Sequence, residues 1–341
     1  MSLLKNNKVF IIAELSANHG QKKDNAIKTI RAAKKAGADA IKLQTYTPDT
    51  MTIDCNNKYF QIKEGIWKGR NLYKLYQEAY TPWEWHEELF QTAREEGLIC
   101  FSTPFDHSAV DFLEQFDPPA YKIASFEIQD IPLIEYVASK GKPMIMSTGI
   151  AELEDINLAL KTCRQAGSHD ITLLKCTSAY PAPIEEANLA TIPNLKETFG
   201  VEAGLSDHTK GITVPVVATT LGAKMIEKHF ILDKSIGGPD ASFSLDFDEF
   251  SAMVKAVREA EKAIGKVNYE LSEKVKKSKI FGRSLFAVKD IKKGEKITEE
   301  NVRSIRPGYG MHPKYYKDII GKIVKVNIQA GTPISEEVIL K

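Results

Sequence analysis

The chain has 341 residues, 43% hydrophobic and 27% charged, and its charges nearly cancel to a formal +1. That length exceeds what one core comfortably supports, although a barrel of alternating strands and helices uses about 250 residues as one unit, so one large and one small domain are expected. The balanced charge argues against a nucleic-acid or anionic-membrane partner. No apolar run approaches the ~20 residues of a membrane span, and the opening MSLLKNNKVF has no signal-peptide core, so a cytoplasmic protein is expected.

From residue 8 to residue 232 one theme repeats: a short β-branched apolar run, a polar break, then an Ala/Lys/Glu-rich segment with helical spacing. The strand-like runs are VFIIAELSAN, DAIKLQT, LICFSTP, AYKIAS, PMIMSTG, ITLLKCTS, VEAGLSD and KMIEKHFIL. Between them lie helix-like stretches such as NAIKTIRAAKKAG, PWEWHEELFQTAREEG, INLALKTCRQAG and ITVPVVATTLGAK. Eight parallel strands joined by helices close most economically into a (β/α)8 TIM barrel, expected here over 1–264. An open doubly wound sheet would call for a glycine-rich fingerprint after the first strand, and AELSANHG is not GxGxxG.

Segment 46–80 is too long for an ordinary βα connection and carries exposed-looking aromatics, the signature of a lid. A helix at 247–264 completes the barrel, and the Lys-rich stretch 265–281 reads as a linker. Residues 282–341 change character, with short strand-like runs between turns, and read as a small β-rich domain. The four cysteines show no CxxC spacing and read as reduced structural thiols.

A TIM barrel builds its active site at the C-terminal strand ends. Polar residues end nearly every predicted strand: Glu14, Asn18 and His19; Lys42 and Gln44; Lys122, Ser125 and Glu127; Ser147 and Thr148; Thr177, Ser178 and Tyr180; Ser206, Asp207 and His208; Glu227, Lys228 and His229. Two lysines with the hydroxyls of Ser125, Ser147, Ser178 and Ser206 suit a phosphate or carboxylate. His208 and His229, on adjacent strands, suit one divalent ion; a strand-end His can equally be a hydrogen-bonded structural residue. Glu14 is either a base or an ion-pair partner of Lys42. Lys42 is a Schiff-base candidate only if it lies away from carboxylates. Asp207 either orients His208 or caps the following helix. His86, His107, His169 and His312 lack strand-end positions, so surface or packing roles are expected.

The motifs AELSANHG, AGADAIKLQTY, YKIASFE, MSTGI, LLKCTSAYP, GLSDHT and IEKHF occur in order and in register with the strand ends. On them the sequence resembles the sialic acid synthase family over essentially its whole length, and 282–341 resembles that family's antifreeze-like (SAF) domain, through RSLFAVKDIKKGEKITEENV and RPGYG. The resemblance implies a transferase condensing phosphoenolpyruvate with an acetamido-sugar, dependent on a divalent metal ion (Mn2+ or Mg2+). Within the family, AELSANHG, KLQTYTPDTMT, SFE and GGPDASFSLDFDEF point to a 2,4-diacetamido-2,4,6-trideoxy-altrose substrate; N-acetylneuraminate and legionaminate synthases are the nearest alternatives. Ser178 stands where N-acetylneuraminate synthases place Asn. Carried over residue by residue, the resemblance makes His208 and His229 the metal ligands, with His229 and Glu14 catalytic. Lys42, Lys122, Ser125, Ser147, Ser178 and Ser206 would bind phosphoenolpyruvate. Glu127, Tyr180, Asp240 and Arg306 would contact the sugar, Arg306 across a domain-swapped homodimer. A Schiff-base aldolase and an ice-binding module are the rivals from other classes.

Overall fold

Period-two alternation along short runs, with helices between them, determines what the chain can close into. The computed structural model describes residues 3–4 and 8–340; the rest of the opening segment lies outside the described residues. The chain divides between Gly265 and Lys266 into two units, each with its own core.

In the first unit eight strands form a closed parallel barrel in sequence order: β1 (Phe10–Glu14), β2 (Ala40–Thr45), β3 (Ile99–Pro104), β4 (Tyr121–Ile123), β5 (Met144–Ser147), β6 (Ile171–Cys176), β7 (Glu202–Asp207) and β8 (Met225–His229). β8 returns to β1, pairing His229 with Glu14. The connecting helices are α1 (Lys23–Lys35), α2 (Pro48–Met51), α3 (Leu72–Ala79), α4 (His86–Glu95), α5 (His107–Glu114), α6 (Ile131–Ala138), α7 (Leu153–Gln165), α8 (Thr191–Phe199) and α9 (Thr213–Thr220), and α10 (Phe247–Ile264) follows the last strand. Local sequence explains several boundaries. Asp106 caps α5 by accepting from the amides of Ser108 and Ala109. Asp246 and Glu249 form a reciprocal capping box at the start of α10. α10 then buries Phe250, Met253, Val254 and Val257, and Gly37, at φ +93° beyond α1, lets the chain pass within 3.0 Å of Val254 where a Cβ would stand.

Residues pointing out of the barrel, such as Ile11, Ala13, Ile41, Leu43, Leu173 and Ile226, form one large core with the helices. Residues pointing inward fall into two layers. Phe10, Ile12, Ala40, Phe101, Ile145, Leu174 and Met225 fill the N-terminal half. Two residues further along, the same inward face carries Glu14, Lys42, Thr103, Ser147, Cys176, Ser206 and Glu227, all buried. The interior is therefore a packed apolar floor beneath a buried polar layer.

Segment 46–80 is ordered structure rather than an open loop: α2, an antiparallel bridge between Gln61 and Asn71, then α3. Its aromatics are less exposed than the sequence suggests. Tyr46 is buried and Trp67 donates from its indole to the carbonyl of Pro239 at 3.0 Å, while Tyr59 is exposed. The same segment is tied to the β1 side, where the Gln21 amide donates to the carbonyls of Glu78 and Tyr80.

The second unit begins with exposed chain, including Val267, Tyr269 and Phe281, and a short helix α11 (Glu273–Ser278). Beyond it β9 (Ser284–Ala287) pairs antiparallel with β10 (Val302–Ile305), and bridges such as Ile291 to Ile328 and Val324 to Ile339 add further β contacts. Leu285, Ile291, Ile297, Val302, Val324, Ile328 and Ile334 form its core. Among the described residues no helix is long and apolar enough to cross a membrane.

Phe101, fully buried in the barrel floor, is the most direct probe of the interior. Phe101→Ala should lower unfolding free energy by about 3–5 kcal/mol in denaturant titration, whereas a change near zero would mean that the floor is not packed as described.

Candidate active site

The polar layer is organised by four charged side chains. Lys42 Nζ lies 2.6 Å from Glu14 Oε2 and 3.7 Å from Glu227 Oε1, and Lys122 Nζ lies 3.9 Å from that same Glu227 oxygen. All four are buried. Charges taken out of water persist only with partners, and hydrogen bonds add to the ion pairs here. Lys42 donates to Thr103 Oγ1 (3.2 Å), Lys122 to Ser147 Oγ (2.6 Å) and the Ile123 carbonyl (3.0 Å), Gln44 to Glu14 Oε1 (3.0 Å) and Ser206 to Glu227 Oε1 (3.1 Å).

The two carboxylates are driven apart in acidity. Burial and the neighbouring Glu227 push Glu14 up to about 7 against the pull of Lys42. Burial would raise Glu227 too, but Lys122 and Lys42 outweigh it and hold it below the usual range. One carboxylate thus stays ionised while the other titrates near neutrality, the division of labour expected of an acid–base site. Burial acts to lower Lys42, yet Glu14 and Glu227 more than compensate and keep it charged. A Schiff-base lysine requires the opposite, and the carboxylates of Glu14 and Glu227 beside Lys42 argue against that role.

Beside the lysines, Ser125 and Ser178 meet oxygen to oxygen at 2.7 Å. Gly149 passes so close that an added Cβ would stand 2.2 Å from Ser178 Oγ and 2.5 Å from Ser125 Oγ, so only glycine keeps this hydroxyl pair in place.

His208 and His229 end β7 and β8 with ring centroids 5.3 Å apart. Burial acts to lower His208, but Cys176 and the Thr177 carbonyl outweigh it and raise its pKa. Nδ1 donates to that carbonyl at 3.0 Å, so in the neutral ring Nε2 carries the lone pair. His229 Nδ1 is buried with no hydrogen-bond partner and lies 3.7 Å from Asp240 Oδ2. Burial, then His208 and Lys42, hold His229 well below the usual histidine range and so neutral, the form that ligates. Two neutral-capable imidazoles with free nitrogens fit one divalent ion. Among the described residues no group of three or more His, Cys, Asp or Glu side chains is arranged as a metal site, so the remaining ligand positions would fall to substrate or water.

Above this layer opens a cavity of ≈ 360 Å³, lined by Gln44, Glu127, Tyr180, His229 and Asp240 on one side and by Tyr46, Trp67, Leu75 and Tyr76 from segment 46–80 on the other. Glu127 Oε2 and Glu227 Oε2 are further buried oxygens without hydrogen-bond partners. Burial pushes Glu127 up to about 7. A cavity of this size with unpartnered polar atoms is the expected form of a small-molecule site.

The NeuB family pattern matches residues 29–269, most of the chain, and a SAF domain matches residues 282–339. The chain belongs to the NeuB family. It is 54% identical to a pseudaminic acid synthase of Campylobacter jejuni over 96% of both chains. It is 50% identical to a pseudaminic acid synthase of Helicobacter pylori, again over 96% of each. Among solved structures it is similar to the spore coat polysaccharide biosynthesis protein SpsE of Bacillus subtilis, with TM-score 0.66, 37% identity, and 98% of this chain and 96% of that one covered.

In this NeuB-family chain the strand-end residues separate into two groups. Glu14, Lys42, Lys122, Ser125, Ser147, Ser178, Ser206, His208 and His229 converge at the barrel mouth, with Glu127, Tyr180 and Asp240 around the cavity above. Asn18 and His19 do not join them: the Asn18 amide donates to the Phe230 carbonyl and Ser244, and His19 packs on Trp85 and contacts Thr81. Asp207 and Lys228 face outward and pair with each other. Asp207 does not cap α9, whose N-cap is Ile212. His86 is fully buried, bonded to Thr45 Oγ1 at 2.8 Å. Arg306 lies in the second unit just after β10, exposed. Sequence reasoning gave no role to Glu227, Thr103 or Gly149. It read Cys176 as a reduced structural thiol and did not place it in the site, where its Sγ lies 3.8 Å from His208 Nδ1. Cys176 shares the inward parity of β6 with Leu174, which was the available signal.

If Glu14 is the base, turnover should climb with pH through about 7, because only its ionised form accepts a proton. Because Glu127 ionises in the same range, the pH profile of Glu127→Gln decides: the acidic limb should persist there. Its disappearance would assign it to Glu127.

Proposed function

We propose that this chain is a phosphoenolpyruvate-dependent nonulosonic acid synthase. It condenses phosphoenolpyruvate with 2,4-diacetamido-2,4,6-trideoxy-beta-L-altropyranose to give pseudaminic acid and phosphate. The observation that carries the reading is the buried Glu14–Lys42–Glu227–Lys122 chain beside the His208–His229 pair. The choice of sugar is supported by the high identity to the two pseudaminic acid synthases. The enzyme works in the cytoplasm.

Lys42 and Lys122 supply point charges, and Ser125, Ser147, Ser178 and Ser206 directional donors, for the phosphate and carboxylate of phosphoenolpyruvate. Glu127, Tyr180 and Asp240 hold the sugar, joined by Arg306 of the partner subunit in a domain-swapped homodimer. His208 and His229 would hold a divalent ion, Mn2+ or Mg2+, which would supply Lewis acidity at the sugar carbonyl. C3 of phosphoenolpyruvate attacks the aldehyde carbon of the open-chain sugar, forming the new C–C bond and leaving an oxocarbenium centre at C2. The aldehyde oxygen takes a proton from solvent water and becomes a hydroxyl, the hydroxide being neutralised by the proton that Glu14 later returns to solvent. Ionised Glu14 takes a proton from the water that adds to C2. The resulting tetrahedral carbon expels phosphate by breaking its C–O bond while its hydroxyl proton passes to the departing phosphate, which leaves the 2-keto acid. Holding both substrates in register within this cavity supplies much of the acceleration.

Phosphate release with phosphoenolpyruvate and Mn2+ tests this, offering the altrose sugar, N-acetylmannosamine and the legionaminate precursor separately. Release with the altrose sugar, lost with EDTA and abolished in Glu14→Gln while phosphoenolpyruvate still binds, is the expected result. Preference for another sugar would move the specificity, and full turnover in a folded Glu14→Gln protein would remove Glu14 from its role.

The swapped dimer has its own test. Glu14→Gln and Arg306→Ala chains, each inactive alone, should recover about a quarter of wild-type turnover when unfolded and refolded together, since half the dimers are mixed and each has one intact site. No recovery would place Arg306 in its own chain's site, and an active Arg306→Ala chain would place it outside catalysis.

A further inference from the structure

We infer that Lys228 and Asp207 are positioning residues that set the geometry of the His208–His229 pair from behind the barrel wall. The inference rests on the metal-binding reading of those histidines. Asp207 and Lys228 are the last registered partners between β7 and β8. Lys228 Nζ lies 2.5 Å from Asp207 Oδ2 and also donates to the Thr209 carbonyl. The Thr209 amide in turn donates to Asp207 Oδ1 at 2.9 Å. One ammonium therefore grips both residues that flank His208, and it sits on the residue directly before His229.

Strand alternation places this pair on the outer face, since Ser206, Glu227 and His229 point into the barrel. Neither residue can touch a substrate there. Asp207 is 3% exposed and Lys228 1%, so both charges lie between the strands and the helix layer. Neighbouring outward positions are mostly apolar, Leu205 on β7, Ile226 on β8, and Ala13 and Leu43 on β1 and β2, while Lys175 on β6, registered with Leu205, is half-buried and donates to the Cys176 carbonyl. A buried ion pair at such a place is commonly no more stabilising than an apolar pair of the same volume, so stability does not account for it.

The geometry does account for it. On its β6 side His208 is fixed by the Thr177 carbonyl, by the Ala182 amide donating to its own carbonyl at 3.0 Å, and by the Tyr180 ring at 4.4 Å. Lys228 supplies the tie on its β8 side and spans the seam between the two histidine-bearing strands. Groups that orient metal ligands in this way typically change metal affinity by about 10–100-fold when removed.

The test replaces both charges together, Asp207→Leu with Lys228→Met, in the full-length protein. Mn2+ binding is followed by calorimetric titration and metal-free stability by thermal unfolding in EDTA. The expected result is an unfolding midpoint equal to or above wild type together with Mn2+ affinity weakened at least about tenfold. Wild-type-like affinity in the folded double variant would overturn the inference while leaving the metal reading intact. Absence of Mn2+ binding by the wild-type protein would overturn that reading and the inference with it. If the double variant does not fold, Lys228→Arg keeps the charge but changes the donor's shape and reach. Weakened Mn2+ affinity in that folded protein supports the positioning role, and unchanged affinity overturns it.

Discussion

A closed eight-stranded barrel has an interior that must be filled, and in this chain the filling changes from hydrocarbon to polar or charged groups within two residues on most strands. Ile12 gives way to Glu14, Ala40 to Lys42 and Met225 to Glu227. Unpaired, any one of these charges would be intolerable away from water. Shared among Glu14, Lys42, Glu227 and Lys122, they become mutually dependent, and Glu227 is the hub because one of its oxygens faces both ammonium groups. Its ionisation is favoured by that position, and Glu14's is disfavoured by it. The acid–base character of the site is thus a by-product of how the barrel tolerates burying four charges.

The polar layer is held from three directions. Below it lies the apolar floor. Around it, Thr103, Ser147 and Ser206 take up part of the hydrogen-bonding capacity that the charges leave over. Above it, segment 46–80 folds back so that Trp67 reaches the loop after β8 and Tyr46 turns inward. Rigid strands carry the charged groups while a connection carries the cavity roof, the usual arrangement when chemistry must be accurate and access must be possible.

Rotational parity explains most of what separates a strand-end polar residue that faces the site from one that does not. Lys42 and Lys228 look alike in sequence, each a lysine late in an apolar run. Lys42 shares inward parity with Ala40, whereas Lys228 is one residue away from inward-facing Glu227 and His229 and so must face the helices. Asn18 and His19 lie beyond the end of β1, where alternation no longer applies, and their hydrogen bonds to Phe230, Ser244 and Thr81 could not be read from spacing.

The sequence by itself determined the eight strands, their order, and the set of side chains available at the barrel mouth. These follow from local periodicity, and each strand's pattern survives whatever its neighbours do. Only the tertiary structure decided which of those side chains meet. Glu227 lies far along the chain from Lys42 and Lys122, and Gly149 must come within contact of Ser125 and Ser178 together. Such meetings depend on the register and closure of the whole barrel, in which a shift of one residue in any strand would turn its polar end from the interior to the helix layer.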